Sequence, residues 1–181
     1  MKVKEMIRQT CRLDPNRDYN IELINGQTWV FFHASWSWLD WVRDFIFIPI
    51  RISKGVWMHM GYLFEAEDIV DQLVHDLGHA TNIVFAGYSR GAAVALILSP
   101  LPNVSKVYIM GCPRTFVGKN SLNKQKDKVV EIIYGNDLVT YLPPFFSKIK
   151  YGKTIKIPSE SKGWFKCIKD HGNYIDCEED V

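Results

Sequence analysis

Cysteine, net charge and long apolar runs are all scarce in this 181-residue chain. Four cysteines (Cys11, Cys112, Cys167 and Cys177), with no C-x-x-C spacing, are too few for a disulfide scaffold. They are expected to be free thiols in a reducing, cytoplasmic or otherwise intracellular compartment. A Cys167–Cys177 pair around His171 is the lesser alternative. The opening MKVKEMIRQTCRLD lacks the apolar stretch of a secretory signal. No run of 18 apolar residues is present, so no transmembrane helix is expected, and membrane contact would be peripheral. A net charge of +2 argues against a nucleic-acid partner. The modest basic excess between Lys148 and Lys169 reads as a solvated face, with attraction to an anionic surface the lesser reading. Repeats and low-complexity segments are absent too, so one domain spanning 1–181 is expected.

What the chain does contain is ordinary core material, 47% hydrophobic and 23% charged residues. Two β-rich runs flank Asn25-Gly26, a hairpin signal. Ala66, Ile69, Val70, Leu73, Val74 and Leu77 recur at helical spacing, which predicts a helix over 64–78 stopped by Gly78. TNIVFAGY and SKVYIMG read as buried strands, and RGAAVALILS between them as a buried helix ended by Pro100. KVVEIIYG and KTIKIP read as further strands, and FVGKNSLNKQK as a polar helical connection. IFIPIRISKG is apolar but broken by Pro49 and Gly55. Buried strands alternating with helices give an α/β fold. Its central sheet is mostly parallel, with helices on both faces and an N-terminal antiparallel hairpin.

Between the strand IVFAGY and the Ala-rich helix stands Gly87-Tyr88-Ser89-Arg90-Gly91, a G-x-S-x-G turn. Glycines at both flanks permit a tight strand-to-helix turn that lifts a serine hydroxyl off the sheet edge, where substrate reaches it. The Arg90 backbone N–H, at the helix start, suits an oxyanion. A serine nucleophile needs a base and an acid behind it, in the chain order Ser, Asp or Glu, His. His171 is the one histidine after Ser89. Asp137 directly follows a strand and lies at the right sheet edge. Asp127 precedes its strand, and Asp170 is too close in sequence to orient the ring; position alone leaves Asp176 open. His75 and His79 sit at i, i+4 but lack the Glu of a zinc-protease helix and any distant third ligand, so they read as a surface helix end.

Six segments resemble, in order, the motifs of the class 3 lipases, α/β-hydrolases related to triacylglycerol lipases of filamentous fungi. They are VFFHASWSWLDWVRDF, VWMHMGYL, IVFAGYSRGAAVAL, MGCPRTFVGKN, GNDLVTYLPP and DHGNY, and the resemblance runs from about Asn20 to Tyr174. It implies a compact α/β-hydrolase with Ser89 as nucleophile, Asp137 as the acid and His171 as the base. Ser35 and the Arg90 N–H would form the oxyanion hole, and neither metal nor cofactor would be needed. It further implies a lid at 36–46 whose Trp36, Trp38 and Trp41, with Tyr88, meet the substrate. Ordinary core burial of the tryptophans is the competing reading. Tyr88 and Arg90 depart from the family's usual His and Leu, and His33 and Ala34 from its usual Arg and Gly. The implied activity is hydrolysis of carboxylic esters through an acyl-enzyme. Lipid esters (acylglycerol or phospholipid) and transient contact with a lipid interface are favoured by the aromatic lid. The alternatives are an inactive lipid- or protein-binding module, or an acyltransferase with the same triad.

Overall fold

The computed structural model describes residues 1–12, 18–34, 48–53, 56–117, 125–147, 150–159 and 165–180. In chain order the elements are α1 (Val3–Thr10), β1 (Tyr19–Ile24), β2 (Gln27–Phe32), β3 (Pro49–Ser53), β4 (Val56–His59) and α2 (Met60–Leu77). There follow β5 (Ile83–Tyr88), α3 (Arg90–Leu98), β6 (Val104–Met110), β7 (Phe116–Val117), β8 (Val129–Tyr134), β9 (Lys153–Ile157) and α4 (Lys166–Gly172). Short 3-10 turns cover Leu138–Tyr141 and Asn173–Asp176.

The main sheet runs β1-β2-β5-β6-β8-β9, with β1 antiparallel to β2 and every other pair parallel. This is the α/β-hydrolase arrangement expected, with its N-terminal hairpin. Asn25 and Gly26 both take positive φ at the hairpin tip, as a two-residue turn with the right twist requires. Both faces of the central strands β2, β5, β6 and β8 are largely buried, and strand alternation divides their apolar residues between the two faces. Val30, Phe32, Ile83, Phe85, Val107 and Ile109 pack beneath α2 and α3. Trp29, Phe31, Val84, Ala86, Tyr108 and Met110 pack beneath α1 and the C-terminal Tyr174–Cys177 segment. That is why these strands read as continuous hydrophobic runs.

Several expectations need correction. α2 begins at Met60, four residues before the expected start. Its buried line is Tyr62, Ala66, Ile69 and Leu73, and Val74 is 49% exposed. At about 100° per residue Val74 lies roughly 110° from the centre of that line, too far round to face the sheet. Phe116 and Val117 are strand rather than helix, pairing with Met58 and Trp57; residues 118–124 of the expected helix lie outside the described residues. β3, β4 and β7 form a second, antiparallel sheet. β3 is an edge strand that begins at Pro49, a place where the missing N–H costs no ladder bond. Among the described residues, no helix is long and apolar enough to cross a membrane.

Candidate active site

β5 ends at Tyr88, and the chain turns through Ser89 directly into α3. Ser89 holds φ 54° and ψ −120°, a conformation an L-residue adopts only under constraint. Its N–H donates to the Met110 carbonyl at 2.9 Å, which ties the turn to the end of β6. The flanking glycines make the turn sterically feasible. A Cβ on Gly87 would lie 2.6 Å from Ala92 N and nearer still to the Gly91 carbonyl. A Cβ on Gly91 would lie 2.6 Å from the His33 carbonyl oxygen and nearer still to that of Phe32.

His171 is buried near the end of α4, 82 residues from Ser89. Its Nε2 lies 3.0 Å from Ser89 Oγ, and its Nδ1 lies 2.8 Å from Asp137 Oδ2. With Nδ1 donating to the carboxylate, Nε2 carries the ring's lone pair and can accept a hydrogen bond from the Ser89 hydroxyl. Asp137 follows β8 and is fully buried. Besides His171, it accepts from Val139 N–H on Oδ1 at 2.9 Å and from the Tyr174 hydroxyl on Oδ2 at 3.0 Å. Three donors compensate the carboxylate for its lost hydration. Gly111, at φ +55°, makes room for the pair: a Cβ there would lie 2.8 Å from Asp137 Oδ2 and 3.1 Å from His171 Nδ1.

The rival acids stand elsewhere. Asp127 and Asp176 are exposed. Asp170 is fully buried but turned to other partners: it accepts from Asn136 N–H at 2.9 Å and from the Ser159 hydroxyl. It thereby pins the start of α4's last turn to the loop that carries Asp137.

Tyr174 is a site residue that the sequence displays, in DHGNY, without disclosing its work. Its buried hydroxyl accepts from Tyr134 N–H at 2.9 Å while donating to Asp137. Burial, and then the neighbouring Asp137 charge, push its phenol well above the ordinary value, so it stays a donor. Tyr88, expected against substrate, packs its ring on His171 at 5.1 Å between centroids and donates its hydroxyl to the His171 carbonyl. Its phenol too is pushed up, by burial and then by Asp137.

Arg90 opens α3, and its guanidinium pairs with Glu65 of α2 at 2.6 Å, tying the two helices together beside the serine. A small cleft on this side is lined by Phe32, His33, Glu65, Arg90 and Val94. Ser35, Trp36, Trp38 and Trp41, and with them the expected lid at 36–46, lie outside the described residues. All four cysteines are free. His75 is exposed, and the described residues contain no group of three or more metal-ligating side chains suited to an ion.

The profile of the class 3 lipase family matches residues 29–147. No curated protein sequence matches the chain. Among solved structures, the Rhizomucor miehei lipase–propeptide complex is 18% identical, with a TM-score of 0.56 over 78% of this chain and 60% of the other. The mono- and diacylglycerol lipase of Aspergillus oryzae is 21% identical, with a TM-score of 0.57 over 68% and 51%. The lipase of Rhizopus microsporus var. chinensis is 20% identical, with a TM-score of 0.51 over 65% and 48%. The match thus spans about half to three fifths of those lipases, and at such identities the likeness is one of fold.

Proposed function

Because the chain belongs to the class 3 lipase family, we propose that it is a serine hydrolase of carboxylic esters, acting on lipid esters through an acyl-enzyme at Ser89. One observation carries this reading. A serine held at positive φ on a strand-to-helix turn meets, within hydrogen-bond distance, a histidine whose other nitrogen meets a buried aspartate.

The chemistry follows from that geometry. Ser89 Oγ attacks the ester carbonyl carbon as its proton passes to His171 Nε2. The carbonyl π electrons move to oxygen, where the Arg90 N–H and Ser35 would receive the negative charge. Asp137 holds the ring and balances the imidazolium. Collapse of the tetrahedral species re-forms the carbonyl and breaks the bond to the alcohol, which leaves with the proton from Nε2. Water then attacks the acyl-enzyme, giving its proton to Nε2, and the acid departs as Ser89 recovers its own. The preference for lipid esters rests on the Trp-rich 36–46 segment and on the exposed Leu138, Tyr141 and Phe145 following the acid.

Ser89→Ala tests the reading. Hydrolysis of p-nitrophenyl esters is expected to fall by on the order of 10⁴-fold or more with the fold intact. A fluorophosphonate should label the parent at Ser89 alone. An unlabelled parent would instead mark an inactive binding module. Acyl transfer to an added alcohol in preference to water would mark a transferase. Rates that rise with acyl length and with micelles would support the lipid preference; the reverse order would remove it.

A further inference from the structure

The proposed base rides on a weak element. α4 has seven residues, of which only Asp170 and His171 are buried, while Phe165 just before it and Ile168 within it are 63% and 55% exposed. A helix this short does not hold itself together. Yet the His171 ring must keep two hydrogen bonds at once, at opposite nitrogens, 34 and 82 residues away in the chain. Misplacement by even 1 Å is costly in such an arrangement.

We propose that Tyr88 is a positioning residue for the reaction assigned above, on which this inference rests: its hydroxyl fastens the backbone of His171 and its ring fixes the plane of the imidazole. Near a helix end the carbonyls run out of intrahelical partners, and the Tyr88 hydroxyl donates to the carbonyl of His171 itself. The two rings are stacked, 5.1 Å apart and 25° from parallel. Tyr174 backs the same assembly, 5.5 Å from Tyr88 and edge-on to His171 at 6.3 Å. The stack leaves both imidazole nitrogens directed at Asp137 and Ser89, and an aromatic face within about 6 Å also favours the imidazolium that forms during each turnover.

Tyr88 directly precedes Ser89, so one strand end carries the nucleophile and grips the base. Any shift of β5 moves both together and preserves their separation.

Steady-state kinetics on a soluble p-nitrophenyl ester, with the parent, Tyr88→Phe and Tyr88→Leu, tests this. Losing the hydroxyl should lower kcat about fivefold, the worth of one ordinary hydrogen bond. Losing the ring as well should lower it about thirtyfold. KM should stay within about twofold throughout, because Tyr88 acts through His171 and not on the substrate. The far-downfield proton resonance of the His171 Nδ1–H to Asp137 bond should broaden in Tyr88→Phe and vanish in Tyr88→Leu. Unchanged kcat in Tyr88→Leu, a loss carried by KM, or an unperturbed resonance overturns the proposal. If Tyr88→Leu does not fold, parental kcat in Tyr88→Phe overturns it alone. A parent that neither hydrolyses ester nor takes fluorophosphonate at Ser89 overturns the assigned reaction and this inference together. An active, labelled parent with indifferent Tyr88 variants overturns only this inference.

Discussion

Asp137 is the residue on which the most depends. It is wholly buried, and its two oxygens accept from a backbone N–H, a phenol and an imidazole. Tyr174→Phe removes one of those donors and also the hydroxyl that accepts from Tyr134 N–H. Taking a hydrogen-bond donor from a buried carboxylate costs about 1–3 kcal/mol. Urea unfolding should therefore report that loss, and kcat should fall about tenfold as the carboxylate loosens its hold on His171. Alkaline titration probes the same hydroxyls. Tyr88 and Tyr174 are both pushed above the ordinary tyrosine value of 10. A group raised on folding stabilises fully below its unfolded pKa, and that stability drains away as pH climbs above it. Stability should thus decline above about pH 10, with these two phenols ionising only as the protein unfolds, which spectrophotometric titration detects. The meeting of Ser89, Asp137 and His171 was legible in the chain because Ser89 and Asp137 each directly follow a strand and His171 is the one histidine after Ser89. Tyr174 stood in the DHGNY motif, but its role rests on a bond to Asp137, 37 residues away. Gly111 carried no local signal, because its need for a bare Cα arises only once Asp137 and His171 are lodged over it.

At the scale of elements, the decisive unit is the join of β5 to α3. Gly87 faces Gly91 across the turn, and Gly91 faces the carbonyls at the end of β2. The blocking atoms are backbone on every side, so no side chain swings aside to admit a methyl group. Gly87→Ala or Gly91→Ala should each cost at least about 3 kcal/mol, the upper end of ordinary overpacking. Loss of soluble yield, or a matching fall in the urea midpoint, checks this; a variant of parental stability would mean the turn has room for a methyl group. Elements with a local cause could be read from sequence. Asn25-Gly26 announced the β1–β2 hairpin, and continuous apolar strands alternating with helices announced a sheet buried on both faces. β7 could not be read, because two residues have no periodicity and Phe116–Val117 are strand only by pairing with β4. α1 did bear a helical pattern, with Val3, Met6, Ile7 and Thr10 all buried. Eight residues at a charged terminus carry too weak a signal to separate a helix from a fraying end.

Across the whole molecule, α1 closes the structure by holding the C-terminal segment behind the site. Val3 N–H donates to the Glu179 carbonyl at 2.9 Å, and Lys4 N–H to that of Cys177 at 3.1 Å. Two kinds of contact join the ends, and their weights differ. Val3, Met6 and Ile7 are buried in the same cluster as Tyr174, whereas the ion pairs of Lys2 and Lys4 with Glu178 lie on the surface. Met6→Ala should cost about 2–5 kcal/mol. At about 2–4 °C per kcal/mol for a chain of this size, the melting midpoint should drop several degrees at least. Because the cavity opens beside Tyr174, kcat should fall with it. The Glu178 carboxyl is pulled down to about 2, first by its bond to Lys4 and then by that to Lys2. A carboxylate depressed on folding stabilises above its unfolded value, here 4.5, and loses that effect as pH falls through 4.5 toward 2. Solvent and salt screen an exposed pair. Glu178→Gln should therefore shift the midpoint slightly at pH 7 in low salt, and the shift should vanish in 1 M salt or below about pH 2. A larger midpoint shift from Glu178→Gln than from Met6→Ala would mean that charge rather than packing holds the two ends together, and the link from α1 to the site would then weaken with ionic strength.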